Sequence, residues 1–314
     1  MKNTSLVLFF TILILSSCDN QTFVPKDKPN PWSDDYSKIS NIQYYKQWGT
    51  YNVHDPAGLK EGEYFYIFST DAIYAHHPNE SKKHNVPEGY IQIRRTKDLI
   101  NWEFVGWAFP GIPQEAIEWV HSNNNNRGAT NIWAPYVIKT NNLFRLYYSV
   151  SAFGKNTSYI GVAESKSIEG PWINKGAVVK TNQSSLMNAI DPSIIIHNNK
   201  TWMHYGSYFG GLYCVELDTE TGLTKREDDQ GHLIARRANY KMDNLEAPEI
   251  IYNKQLNTYY LFTSYDPLMT TYNIRVAKAN MPEGPFYDFN GENIKDTTNN
   301  FPIITAPYKF NNHP

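Results

Sequence analysis

Five times along this chain a small or acidic residue precedes a proline, and a strand-like apolar run follows. The copies are Asp55-Pro56, Ala134-Pro135, Asp191-Pro192, Ala247-Pro248 and Ala306-Pro307, and their prolines are separated by 79, 57, 56 and 59 residues. The first interval is longer because Tyr74 to Gly89 and Pro113 to Asn131 read as loop insertions. A second element keeps the same beat: Glu169-Gly170-Pro171-Trp172 returns as Glu283-Gly284-Pro285-Phe286, 114 residues on, twice 57. A fixed period of this length marks a unit that cannot bury its apolar face alone and must stack on copies of itself.

Each unit is built from strands. Runs such as Tyr64 to Phe68, Phe144 to Tyr148 and Tyr259 to Phe262 are aromatic or β-branched and are separated by Gly, Asn and Asp, while helix-period patterns are scarce. About four strands per repeat predict an all-β fold, a five-bladed β-propeller, in which the first strand of every blade lines the central channel. A β-sandwich would not produce a five-fold beat. The fifth unit is incomplete, because the chain stops at Asn311-Asn312-His313-Pro314, just after its proline strand. Either Ile42 to Tyr51 completes that blade or the sequence is truncated there. Truncation is the expectation, since a polar stop leaves the faces of two blades uncovered.

Three blade openings carry acids, Asp55, Asp191 and Glu246. An Asp-Pro pair alone is a common turn, but acids at three repeat openings converge at one end of the axis. Carboxyls gathered there cost free energy unless they are paired or used. The chemistry that fits is glycoside hydrolysis by two carboxyls, one protonated and one ionised, with a third raising the donor's pKa. Glu246 stands two residues before its proline whereas the aspartates stand one before theirs. Because a strand alternates faces at every residue, a local bulge is required to bring Glu246 to the same point. Trp133, Tyr205, Tyr208 and Phe209 lie beside these openings and are candidates to stack on sugar rings or to fill the core.

The N-terminus reads as an export signal. Lys2 precedes an apolar run from Leu6 to Leu15, too short to span a bilayer, and Leu15-Ser16-Ser17-Cys18 follows. The ending resembles a bacterial lipobox, which implies cleavage after residue 17 and acylation of Cys18. The predicted organisation is a lipoprotein signal over 1–17, acylated Cys18 and a flexible tether over 18–40, and the propeller over 41–314. That places the chain outside the cytoplasm, lipid-anchored in the cell envelope at the outer membrane, on its periplasmic or cell-surface side. Only Cys214 then remains, so no intramolecular disulfide forms. With 29 Lys and Arg against 31 Asp and Glu, nothing in the charge favours nucleic acid. His76, His77 and His84 fall in an insertion without a scaffold for a metal, and Asn123 to Asn126 read as an exposed loop.

From about Tyr51 to Pro307 the chain resembles glycoside hydrolase family 43, in its endo-arabinanase branch. The stretches that carry the resemblance are Val53-His54-Asp55-Pro56, Ile132-Trp133-Ala134-Pro135, Ala189-Ile190-Asp191-Pro192-Ser193, Tyr205-Gly206-Ser207-Tyr208-Phe209-Gly210-Gly211 and Leu245-Glu246-Ala247-Pro248. The resemblance implies inverting endo-hydrolysis of α-1,5-linked L-arabinan. The expected state is a monomer. It assigns Asp55 as general base, Glu246 as general acid and Asp191 as the residue that tunes and orients Glu246, with acid and base roughly 6.5–9.5 Å apart. His54, Trp133, Ser207, Tyr208, Phe209 and Arg275 fall at sugar-binding positions. Two departures stand out. Tyr136 replaces the acid usual after Trp-Ala-Pro, and the histidine that the family places beside an axial cation has no counterpart, His313 being none. The chemistry needs no cofactor. A structural Ca or Na ion at the axis is compatible with the resemblance, but no metal ligand is assigned. The competing readings are an exo-acting arabinofuranosidase or β-xylosidase, a non-catalytic glycan-binding lipoprotein, and a fructan or sucrose hydrolase. The last would show Asn-Asp-Pro, Arg-Asp-Pro and Glu-Cys where this chain has His-Asp-Pro, Ile-Asp-Pro and Glu-Ala-Pro.

Overall fold

A computed structural model describes residues 53–70, 89–237, 243–268 and 271–296. These residues form an all-β propeller of four consecutive sheets. The first sheet holds β1 (His54–Glu61), β2 (Tyr64–Thr70), β3 (Tyr90–Thr96) and β4 (Glu103–Phe109). The second holds β5 (Trp133–Lys139), β6 (Phe144–Ser151), β7 (Ser158–Ser165) and β8 (Ile173–Thr181). The third holds β9 (Ser193–His197), β10 (Lys200–Tyr205), β11 (Leu212–Leu217) and β12 (His232–Ala235). The fourth holds β13 (Leu245–Asn253), β14 (Thr258–Tyr265) and β15 (Asn273–Ala279), and isolated bridges at Tyr287 extend its edge. Each sheet is an antiparallel meander in sequence order. The proline strands β1, β5, β9 and β13 neighbour one another in that order around the axis. The fifth copy at Ala306-Pro307, the export signal, Cys18, the tether, Ile42 to Tyr51 and the three clustered histidines lie outside the described residues.

Period-2 alternation explains how the sheets stack. In β6, Leu146, Tyr148 and Val150 face the core shared with the first sheet, while Tyr147 between them faces the core shared with the third. In β11, Tyr213, Val215 and Leu217 join that second core, and Leu212 and Cys214 join the core shared with the fourth sheet. An inner blade thus buries both faces, which is why every residue of β6 is buried. The Glu-Gly-Pro-aromatic element does the same job in both copies. Gly170 and Gly284 take positive φ of 95° and 87°. Each lets the following aromatic turn inward: Trp172 meets Phe68 edge-on at 5.7 Å, and Phe286 meets His204 at 6.1 Å.

One insertion differs from the sequence expectation. Pro113 to Asn131 read as loop, yet Gln114–Ser122 forms α1, with Ala116 and Val120 buried against the first core. Those two residues are four apart on one helical face. Ile117 and Trp119 pack beside them, but the apolar positions span only Ala116 to Val120 in a polar insertion, so the periodicity is too short to read. The asparagine run follows as the turn after the helix, with Asn125 and Asn126 at positive φ.

Candidate active site

The proline motif is a one-residue bulge, repeated in all four sheets. His54 pairs with Thr70 and Ala57 with Phe68, so three steps on β1 oppose two on β2. Trp133 and Tyr136 oppose Ser149 and Tyr147 in the same way, and Glu246 and Glu249 oppose Ser264 and Phe262. In the third sheet Ser193 pairs with His204, and Gly206 N–H donates to the Ile190 carbonyl at 2.9 Å. The residue before each proline takes the left-handed conformation: Asp55, Ala134, Asp191 and Ala247 have φ of 46°, 42°, 58° and 52°. No glycine relieves that strain, and strain of this kind concentrates at functional sites.

The bulge resolves the displaced position of Glu246. Asp55 and Asp191 occupy the left-handed position itself, whereas in the fourth sheet Ala247 takes it and Glu246 stands at the preceding position, equivalent to His54, Trp133 and Ile190. With one extra residue inserted, positions i and i+3 of the strand share a face. Trp133 with Tyr136 and Glu246 with Glu249 accordingly line one cavity of about 920 Å³. Asp55, Asp191, Ser207, Tyr208 and Phe209 also line it, and the loop Ser151 to Lys155 forms part of its rim, with Phe153 86% exposed there. The volume sits at the upper end of the range for small-molecule sites.

Hydrogen bonds fix each carboxyl. Thr70 Oγ1 donates to Asp55 Oδ2 at 2.5 Å. Asp191 Oδ2 accepts the Ala247 N–H at 3.2 Å. Glu246 accepts from the Ser207 hydroxyl at Oε2 and from the Tyr272 hydroxyl at Oε1, both at 2.7 Å. Tyr208 N–H donates to the Leu245 carbonyl at 2.8 Å, holding the Ser207–Phe209 turn against β13.

The electrostatics separate the three acids. Burial pushes Asp191 well above the usual carboxylate range, and the charges of Glu246 and Asp55 push it further. Glu246 is raised chiefly by burial and also by the Asp55 charge, against the lowering pull of the Tyr272 and Ser207 hydroxyls. Asp55 is exposed to the cavity. Two enclosed carboxyls that favour protons thus face one that is open to solvent, the division of labour an acid–base pair needs. A fourth carboxyl on the cavity wall, Glu249, accepts from Ser193 Oγ at 3.1 Å and from the Tyr136 hydroxyl at 3.3 Å. Although solvent reaches its edge, the atoms packed around Glu249 push it up as well.

His54, Trp133, Ser207, Tyr208 and Phe209 are all brought to the cavity wall. Arg275 is not. It lies over the Tyr265 ring at 4.3 Å and pairs with Asp266 at 3.4 Å, behind the segment that carries Leu268 and Tyr272. Tyr205 is core, buried with its hydroxyl on the Gln230 carbonyl at 2.7 Å. Sequence reasoning missed Thr70, Tyr272 and Glu249. Thr70 is reached through cross-strand register, Tyr272 lies just before β15, and Glu249 needed the bulge to be recognised. Among the described residues no three His, Cys, Asp or Glu side chains are placed to share a metal ion.

The sequence profile of glycosyl hydrolases family 43 matches residues 49–311. The chain belongs to this family. Within family 43, it is 31% identical to an extracellular endo-α-(1→5)-L-arabinanase of Thermotoga petrophila, over 81% of this chain and 54% of that protein. It is 34% identical to the extracellular exo-α-(1→5)-L-arabinofuranosidase ArbA of Cellvibrio japonicus, over 77% of this chain and 68% of the relative. The solved structure of Cellvibrio cellulosa α-L-arabinanase complexed with arabinohexaose superposes with a TM-score of 0.67 at 31% identity, covering 82% of this chain and 79% of that one. The chain spans about half the length of the Thermotoga relative. Among the described residues no helix is long and apolar enough to cross a membrane.

Proposed function

We propose that this chain is an inverting glycosidase that cuts α-1,5-linked L-arabinan within the polymer. The observation that carries the reading is the pairing in one cavity of a solvent-open carboxyl, Asp55, with an enclosed, proton-favouring one, Glu246, whose neighbour Asp191 is tied to the same strand. Endo-acting relatives in the family support the substrate. Two observations favour exo-action: the higher identity to the Cellvibrio exo-enzyme, 34%, and the likeness to a solved exo-1,5-α-L-arabinanase, 30% identical with a TM-score of 0.66.

In the proposed reaction Glu246 enters protonated and gives its proton to the glycosidic oxygen as that bond breaks. Asp55 takes a proton from a water molecule, whose oxygen bonds to the anomeric carbon from the opposite face. The leaving chain departs as an alcohol, and the new reducing end has the inverted configuration. Asp55 then releases its proton to solvent and Glu246 regains one. Asp191 keeps the Glu246 strand in place and favours the protonated acid. Trp133, Tyr208 and Phe209 supply ring faces for sugars, and His54 and Ser207 supply polar contacts. A five-bladed ring, export with Cys18 carrying the lipid anchor in the cell envelope, and a monomeric state complete the proposal. Digestion of linear debranched arabinan tests it, mixed oligosaccharides being the expected products; arabinose alone would favour the exo-acting alternative.

A further inference from the structure

The bulges are joined from sheet to sheet by a repeated contact. The N–H of the left-handed residue in one sheet is accepted by the residue opposite the bulge in the preceding sheet. Ala134 N–H donates to Thr70 Oγ1 at 2.8 Å, and Asp191 N–H donates to Ser149 Oγ at 3.2 Å. At the third joint the equivalent position is Gly206, which has no hydroxyl. A Cβ there would meet the Gly211 carbonyl oxygen at 2.6 Å, at a φ of 132°. The Asp191 carboxylate accepts the Ala247 N–H instead.

The first joint has a consequence for chemistry. A threonine hydroxyl has one hydrogen. Because the Ala134 N–H already points at Oγ1, that oxygen is the acceptor there, and its own hydrogen is left for Asp55 Oδ2 at 2.5 Å. The direction of this hydrogen bond is therefore set by the second sheet. Asp55 Oδ2 is occupied by a donor, which leaves Oδ1 as the oxygen with lone pairs free to meet a water. The second joint has the same hydroxyl but no carboxyl beside it, since Ala134 stands where Asp55 does. The backbone strain at Asp55 fixes its Cα, but only a side-chain contact fixes the carboxylate plane.

We propose that Thr70 is a positioning residue for Asp55, holding its carboxylate so that Oδ1 alone receives the proton of the attacking water. The inference rests on the assignment of Asp55 as general base in the proposed function.

The test uses the full chain and the variants Thr70→Val, Thr70→Ala and Thr70→Ser, on linear arabinan and on an α-L-arabino-oligosaccharyl fluoride. Fluoride leaves without a proton from Glu246, so that substrate reads the base side alone. The expectation is a kcat lowered roughly 10–100-fold by Thr70→Val on both substrates, the scale of a misplaced reacting group, with KM within about twofold of wild type. Thr70→Ser, which keeps the hydroxyl, restores the rate, and Thr70→Ala behaves as Thr70→Val should the branched side chain disturb the strand. Three outcomes overturn the inference: a normal rate in Thr70→Val, a loss on arabinan that spares the fluoride, or a raised KM at unchanged kcat, which would mean that Thr70 only supports Trp133. If the wild-type chain releases nothing from either substrate, the proposed function fails and Thr70 falls with it.

Discussion

The Asp191 carboxylate accepts the N–H of Ala247 at 3.2 Å, so the peptide that follows Glu246 is tied to the neighbouring acid. The two enclosed carboxyls are therefore coupled through a backbone as well as through charge. A change at Asp191 is expected to shift the strand that carries Glu246.

Removing the proton donor separates chemistry from binding. Glu246→Gln keeps the shape and the hydrogen bonding of the side chain but carries no transferable proton. Turnover of arabinan is expected to fall by roughly 10²–10⁴-fold, the usual contribution of a general acid. Binding of arabino-oligosaccharides, measured by calorimetry, stays within a few-fold of wild type. Loss of binding as well would assign Glu246 a structural role.

The hydroxyls on Glu246 set the alkaline limb of the pH–rate profile. Tyr272 and Ser207 donate to the ionised carboxylate and pull its pKa down. Tyr272→Phe and Ser207→Ala each remove one donor. Glu246 then holds its proton to higher pH, and the alkaline limb of kcat/KM moves upward. A limb that stays in place, or moves down, contradicts the assignment of Glu246 as the acid.

The strain at Asp191 is measurable as stability. Its folded pKa is raised above the ordinary 3.8, so between these values the folded chain binds more protons than the unfolded one. Its contribution to stability is present at pH below 3.8 and is lost as pH rises through the folded pKa. Asp191→Asn removes that penalty. Its melting temperature is expected to exceed that of wild type by a few degrees at pH 7, with the gap closing toward pH 3.5.

His204 gives the opposite slope. It is fully buried, with Nε2 2.6 Å from the Pro282 carbonyl oxygen, and burial pushes its pKa from 6.5 down to about 4. Its contribution is whole above pH 6.5 and is lost as pH falls to about 4, by up to ~3 kcal/mol. Denaturant titrations over this range should show the loss in wild type and a flatter dependence in His204→Gln.

Much of the fold is legible in the sequence because proline marks the inserted residue of each bulge, and one bulge opens every sheet. The three acids are legible for the same reason. What the spacing could not show is that Ala247 takes the left-handed position held elsewhere by Asp55 and Asp191, which is what brings Glu246 into the ring. Thr70 and Tyr272 reach the acids from neighbouring strands and loops, so spacing along the chain does not find them. Arg275 follows Tyr272 by three residues, but the alternation of β15 turns it onto Tyr265 and Asp266, away from the cavity. Helix α1 hid in a polar insertion because its apolar positions, Ala116, Ile117, Trp119 and Val120, span little more than one turn.

The most direct measurement is the digestion of linear debranched arabinan, followed by NMR of the first products. The account predicts oligosaccharides of mixed length whose new reducing ends have the β configuration, opposite to the α linkage that was cut. Reducing ends that retain the α configuration, or binding of arabinan with no product at all, would contradict it.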